Sequence, residues 1–527
     1  MSTVDSKVSA VAAAGPPEAT AVVVADTGET LTFGELESRA NRLARVLRAA
    51  GLSEHDVVAT FLANVPDFLV VAWAIQRVGM RHVPVNRHLG HDEVEYMLRD
   101  SGAAALVVSD ETAEVASSVA SGQRLELALT VGGRVPGFTP MSEALADVPD
   151  EPLTDAVEGE WMFYSSGTTG RPRGAVREPG VGRTTLRRFA AEARSLYGMS
   201  DHSVFLSPAP LYHAMPLGWT MAALHIGAPV VIMRSFDAER TLLAIEGHRV
   251  THAAFVPTHF IRMLRLPEAI RDRYDVSSLE NVVHAAAPCP VWVKQRMIDW
   301  WGPILYEYYS ASEGGGRTGI DSHDWLAHKG SVGRPQPGHG IVHIVGDDGK
   351  ELPAGVTGRI FFEGAVDFVY HGDPGKTARA HHPKGWVSVG DSGYLDDEGY
   401  LYLADRDDFM IISGGVNIYP RESEDVLSAH PAVADIAVVG VPHAEMGQEV
   451  VAYVSAAEGI APSQELADEL RAYVRARIAH FKCPRQVRFV AEIPRLPSGK
   501  LLKRALPTAP PAGGDELERN VTPARGN

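Results

Sequence analysis

The sequence predicts an α/β protein, and three features carry that reading. Short apolar runs alternate with helical patterns over roughly the first half. The texture turns glycine-dense and β-rich from about Trp325, and mixed α/β character returns after Asp405-Arg406-Asp407-Asp408. Strands alternating with helices call for a parallel sheet covered on its faces. In chain order, the start to about Thr20 is small and polar. Leu31-Thr32-Phe33-Gly34-Glu35-Leu36 then leads into 39–50, where Ala40, Leu43, Val46 and Leu47 recur at helical spacing. Residues 57–62 and 103–108 are short apolar runs with a helical pattern between them, and the rhythm recurs at 251–256 and 281–285. Glycines from Gly330 to Gly364 punctuate short β-rich runs such as 359–363, the mark of a small β module. The charged 405–408 segment between two textures reads as a hinge. Beyond Ala509 the composition of Pro, Gly and Glu predicts a disordered tail. The expected division is 1–405, with 320–405 as the β-rich module, then 406–509, then a tail over 510–527.

With 45 % hydrophobic and 22 % charged residues, the 527-residue chain has the composition of an ordinary soluble globular protein. That excludes collagen-like, disulfide-stapled and wholly disordered classes. A formal net charge of −17 argues against broad electrostatic binding to nucleic acid or to an anionic membrane. The two cysteines, Cys289 and Cys483, can build neither a disulfide framework nor a cysteine-rich metal site, which favours a reducing compartment. Asp5 and Lys7 beside a short Ala-rich run do not make a signal peptide. The most apolar stretch, 68–75, is too short to span a bilayer. The expectation is a cytoplasmic protein with no membrane span and no nucleic-acid partner.

The most informative segment is Trp161-Met162-Phe163-Tyr164-Ser165-Ser166-Gly167-Thr168-Thr169-Gly170-Arg171-Pro172-Arg173-Gly174. Here an apolar strand runs into hydroxyls, three glycines and two guanidinium groups. Glycines let backbone N–H groups approach a polyphosphate, hydroxyls add hydrogen bonds, and Arg charge offsets the anion. A surface hairpin rich in Ser and Gly is the plainer reading. No Gly-Lys-Ser/Thr stands at Walker spacing, and neither His-Glu-x-x-His nor Cys-x-x-Cys is present.

With this loop and four further motifs in order, the chain resembles the acyl-activating (adenylate-forming) superfamily of acyl-CoA synthetases, peptide-synthetase adenylation domains and firefly luciferase. The resemblance runs from Leu31 to Lys500. It implies a large, multi-layered α/β N-terminal domain with a small β-barrel module, followed by a small mobile α+β lid. It also implies two half-reactions: acyl-adenylate and pyrophosphate form from a carboxylic acid and Mg-ATP, and the acyl group then passes to a thiol, commonly that of coenzyme A.

Residue by residue, the resemblance implies that Ser165, Ser166, Gly167, Thr168, Thr169, Gly170 and Arg173 cradle the β- and γ-phosphates. Arg173 stands where relatives usually carry Lys, exchanging a compact ammonium for a planar fork. Tyr308-Tyr309-Ser310-Ala311-Ser312-Glu313 resembles Tyr-Gly-x-Thr-Glu: Tyr309 would stack on adenine, Ser312 donate to the α-phosphate and Glu313 hold Mg²⁺. Ala285-Ala286-Ala287-Pro288 resembles a Gly-Gly-Ala-Pro turn beside the adenine. Asp391 would accept the ribose hydroxyls, Arg406 contact ribose or phosphate, and Asp407 fall at the hinge. Gly414 and Gly415 match the loop that admits the pantetheine arm, and Lys500 would bridge carboxylate and α-phosphate during adenylation.

Pro208-Ala209-Pro210-Leu211-Tyr212-His213-Ala214-Met215-Pro216-Leu217-Gly218-Trp219 resembles the acyl-pocket wall, with His213 at a gate position. The segment carries no carboxylate to pair a substrate ammonium, which disfavours an α-amino acid. Tyr212, Trp219, Phe255 and His259 would line an aromatic, mainly apolar pocket, although core packing accounts for them equally well. The acid is left open among fatty, aryl and bulky polycyclic classes. The favoured reading is an acid:CoA ligase using ATP, Mg²⁺ and coenzyme A. The alternatives are a ligase loading a separate carrier-protein thiol and a non-catalytic member that binds nucleotide or acyl ligand. A homodimer is a family-level expectation only.

Overall fold

Where short Val- and Ala-rich strands lack alternation, both faces must be covered, and the structure covers them twice. The computed structural model describes residues 13–165, 173–176, 186–311, 314–365, 367–370, 373–406, 409–413, 416–443, 446–495 and 501–506. The chain falls into two compact units. The first is Met1–Ala286, Met297–Arg317 and Ala365–His381; the second is Ala287–Arg296, Thr318–Gly364 and His382–Asn527.

The first unit holds two parallel sheets. In one, the order is Leu305–Ala311, Asn281–His284, His252–Phe255, Phe205–Ser207, Val230–Ile232 and Thr20–Val24, with Thr30–Thr32 antiparallel at its edge. The other orders Thr139–Pro140, Leu127–Val131, Ala103–Ser109, Val57–Phe61, Arg81–Pro84 and Glu160–Trp161. One continuous core joins residues of both sheets to the helices Phe33–Ala49, Pro66–Gln76, Leu186–Tyr197 and Ala214–Ile226. The apolar stretch at 68–75 is therefore a wholly buried helix. Val65 precedes it as cap and Pro66 starts it, where a missing N–H costs nothing.

The helix Phe33–Ala49 begins earlier than its apolar spacing indicates, because Thr32 and Glu35 form a capping box. The Glu35 N–H donates to Thr32 Oγ1 (3.1 Å) and the Thr32 N–H donates to Glu35 Oε2 (2.8 Å).

His82, on the strand Arg81–Pro84, is fully buried beside Thr60 Oγ1 (2.9 Å), and burial pushes its pKa down to about 3. The unfolded chain takes up this proton near 6.5, whereas the folded chain does so only near 3. Between those values the unfolded state binds more protons, so stability falls as pH falls, by about 1.4 kcal/mol per pH unit. We expect His82→Gln to flatten the loss of the urea midpoint between pH 6.5 and about 4.5. An unchanged slope would mean that His82 contributes nothing to it.

In the second unit the β-rich module is a four-stranded antiparallel meander: Ile341–Val345, Gly358–Glu363, Asp391–Leu395 and Leu401–Arg406. The pairing that would close it into the barrel implied by resemblance is not among the described residues. The C-terminal part is α+β. The long hairpin Val433–His443/Gly447–Ala456 is flanked by Ile411–Ser413 and Gln486–Phe489, with the helices Pro420–Ser428 and Gln464–Arg475.

Candidate active site

Because the six strands of the first sheet run parallel, their carboxyl ends lie along one edge, the place where open α/β sheets bind ligands. Four adjacent ends carry sequence-predicted site residues of this unit. Pro208–His213 follows Phe205–Ser207, and His259 follows His252–Phe255. Ala285-Ala286 follows Asn281–His284, and Tyr308, Tyr309 and Ser310 close Leu305–Ala311.

His213 is the N-cap of the helix Ala214–Ile226; it is half-buried, with its ring 4.5 Å from that of Tyr212. Burial pushes the Tyr212 phenol up to about 12, and its hydroxyl has no hydrogen-bond partner among the described residues. His259 sits in the first turn of Pro257–Leu264, stacked 4.0 Å from Phe236, and burial pushes its imidazole down to about 3. At neutral pH it offers an apolar face and no charge. Trp219 and Phe255 have no exposed surface. Trp219 packs edge-on against Tyr197 (4.6 Å), and Phe255 packs against Phe260 (5.6 Å) and Trp301 (5.7 Å).

Ala286 is exposed and has φ +71°, a left-handed conformation that suits glycine. The lost glycine of this turn thus leaves strain at the strand end. We expect Ala286→Gly to raise stability by roughly 0.5–1 kcal/mol, the relief of strain exceeding the added unfolded-state entropy. Urea denaturation measures it, and a lower stability would contradict the strain. Ala287 and Pro288 belong to the second unit.

Tyr309 is half-buried and Ser310 exposed, with the Ser310 hydroxyl donating to the Gly316 carbonyl (3.2 Å). Behind Tyr308 lies a buried ion pair that sequence reading missed. The Arg317 guanidinium lies 4.0 Å from the Tyr308 ring centroid and donates to Glu192 Oε2 (2.6 Å) and Tyr197 Oη (2.7 Å). Both side chains of the pair are more than four-fifths buried, and the positive charges of Arg188 and Arg317 bracket Glu192.

In the second unit Asp391 and Arg406 are cross-strand partners, so their pairing across 15 positions of sequence is a consequence of the meander register. Gly390, just before Asp391, has φ +85°, and its N–H donates to Ser388 Oγ (3.2 Å). Ser413 and Val416 pair across Gly414 and Gly415. Arg495 and Leu501 form an antiparallel bridge, and the Leu502 N–H donates to the Pro494 carbonyl (2.8 Å). Arg495 grips Asp435 through two bonds (2.7 and 2.6 Å), and Lys503 pairs with Glu424 (2.9 Å). Arg495 and Lys503 are thus both held in place within the C-terminal part.

Ser165 and Arg173 pair across the glycine-rich loop, so its flanks form an antiparallel hairpin. Ser166, Gly167, Thr168, Thr169, Gly170, Ser312, Glu313, Asp407, Gly414, Gly415 and Lys500 lie outside the described residues. Among the described residues no group of three or more His, Cys, Asp or Glu could hold a metal ion, and no helix is long and apolar enough to cross a membrane.

Residues 9–370 match the AMP-binding enzyme family and 422–500 match the C-terminal domain of AMP-binding enzymes. The chain belongs to this family. Among its relatives, a feruloyl-CoA synthase of an Amycolatopsis species is 35 % identical, covering 92 % of this chain and 95 % of the relative. An indoleacetate–CoA ligase of Aromatoleum aromaticum is 32 % identical, covering 90 % and 92 %. Among solved structures, the amide bond synthetase McbA of Marinactinospora thermotolerans superposes with a TM-score of 0.80 at 29 % identity, covering 92 % and 95 %. The chain is therefore an adenylate-forming enzyme of the acyl-CoA synthetase branch, with a large N-terminal domain and a smaller C-terminal one.

Proposed function

We propose that the enzyme joins an aryl carboxylic acid to coenzyme A in two steps. A carboxylate oxygen attacks the α-phosphorus of ATP, the α–β bridging bond breaks, and pyrophosphate leaves. The coenzyme A sulfur then attacks the acyl carbon, the acyl–phosphate oxygen bond breaks, and AMP leaves while the thiol proton passes to solvent. The observation that carries the reading is the row of strand ends holding the His213 loop, the Ala285-Ala286 turn and Tyr308–Ser310. The names of two relatives, directed at ferulate and indoleacetate, support an aryl acid. The stacked, uncharged Phe236–His259 pair supports it too.

Thr168 and its neighbours, with Arg173, hold the β- and γ-phosphates. Glu313 holds Mg²⁺, which offsets phosphate charge when bound. Ser312 donates to the α-phosphate, Asp391 accepts from the ribose hydroxyls, and Arg406 offsets phosphate charge. Lys500 bridges the substrate carboxylate and α-phosphate as charge develops there. A lid over 406–509 turns about Asp407 against the domain over 1–405, withdrawing Lys500 and bringing Gly414 and Gly415 to the thiol path. Ferulate or indoleacetate, incubated with Mg-ATP and coenzyme A, should yield the aryl-CoA thioester and AMP in equal amounts by chromatography. AMP without thioester would contradict coenzyme A as acceptor.

A further inference from the structure

Asn64 belongs to no motif, and its position in the turn after Val57–Phe61 reads as an ordinary loop residue. In the structure it is 4 % exposed and ties together the ends of three strands from both sheets of the first unit. Its amide nitrogen donates to the Ala209 carbonyl (3.1 Å) and the Met233 carbonyl (3.0 Å), and its amide oxygen accepts from the Leu211 N–H (2.9 Å). Only an amide in this orientation satisfies all three groups, since a carboxylate lacks the donors and a hydroxyl has a single proton.

Two of the three bonds fall on one short loop, Pro208-Ala209-Pro210-Leu211-Tyr212-His213. Pro208 and Pro210 have no N–H to offer, so this backbone cannot continue the parallel ladder beyond Phe205–Ser207. Within the loop, the His213 N–H donates to the Pro210 carbonyl (3.2 Å). Asn64 therefore sets where the loop leaves the sheet edge. The loop delivers the Tyr212 hydroxyl, buried and without a hydrogen-bond partner among the described residues, and the His213 ring beside it.

We propose that Asn64 is a positioning residue for the carboxylic acid: it holds the 208–213 loop so that Tyr212 and His213 meet the acyl group. The inference rests on the proposed function, because it takes this loop as the acid-binding wall. Asn64 reaches the acid only through the loop, so its loss moves acid binding apart from ATP binding.

The test is steady-state kinetics of Asn64→Ala with ferulate as the acid, alongside His213→Ala and the double variant. Asn64→Ala should raise KM for the acid about tenfold while KM for ATP stays within about twofold. In the His213→Ala background the same change should raise acid KM by less than about threefold, because the two residues act through one loop. If Asn64→Ala does not fold, Asn64→Asp carries the test: it keeps the size and the acceptor for Leu211 and loses both donors. An unchanged acid KM, an equal rise in both KM values, or full additivity with His213→Ala would overturn the inference. If His213→Ala alone leaves acid KM unchanged, the assignment of the wall itself fails, and the inference falls with it.

Discussion

Replacing Lys500 by Ala should lower acyl-adenylate formation by ~10² to 10³-fold, the usual loss when one aimed electrostatic donor is removed. Transfer of the acyl group from supplied acyl-adenylate to coenzyme A should change far less. The asymmetry follows from the chemistry. Charge builds on the carboxylate–phosphate array only in the first step, and an ammonium that engages it there contributes nothing to the second. On either side of Lys500 in sequence, Arg495 and Leu501 form a bridge, Arg495 is held by Asp435 and Lys503 by Glu424. Single-turnover measurements of each half-reaction decide the matter. Equal losses in both would contradict the assigned role.

Arg317→Met should destabilise the fold by about 1–3 kcal/mol, because the buried Glu192 loses a charge-assisted hydrogen bond. Glu192 would keep Arg188 (3.1 Å) but lose the guanidinium at 2.6 Å, and the Tyr197 hydroxyl would lose its donor. The double variant Arg317→Met/Glu192→Gln should recover part of the loss, since the buried carboxylate left with a single cationic partner is then neutral. Urea denaturation of the single and double variants reads both effects. Because Arg317 also lies on the Tyr308 ring, the single variant should loosen the strand that presents Tyr309, raising KM for ATP. A single variant as stable as the parent would show that the pair is not a structural element.

The parallel architecture was legible because buried strands declare themselves as short apolar runs: 57–62, 103–108, 251–256 and 281–285 each coincide with a strand to within a residue or two. The motif segments of the first unit, Pro208–His213, Ala285-Ala286 and Tyr308–Ser310, follow or close neighbouring strands of one sheet. Successive parallel strands end at one edge, so segments dozens of residues apart in sequence meet there. What stayed hidden depends on three-dimensional partners. Nothing near Arg317 points to Glu192, 125 positions away, and Asn64 bonds to groups 145 to 169 positions away. Trp219 and Phe255 illustrate a different limit. An aromatic residue in a pocket-wall segment has the same sequence signature whether it faces a ligand or the core, and here both are fully buried. Ala286 shows the converse, since a missing glycine in the motif marked the strained position that the backbone then revealed.

Pyrophosphate release from Mg-ATP across a panel of carboxylic acids, with and without coenzyme A, tests the central claim most directly. Release should depend on an aryl acid, stop near one equivalent per enzyme without coenzyme A, and become multiple-turnover when coenzyme A is added. No release with any acid, or multiple-turnover release indifferent to coenzyme A, would contradict it.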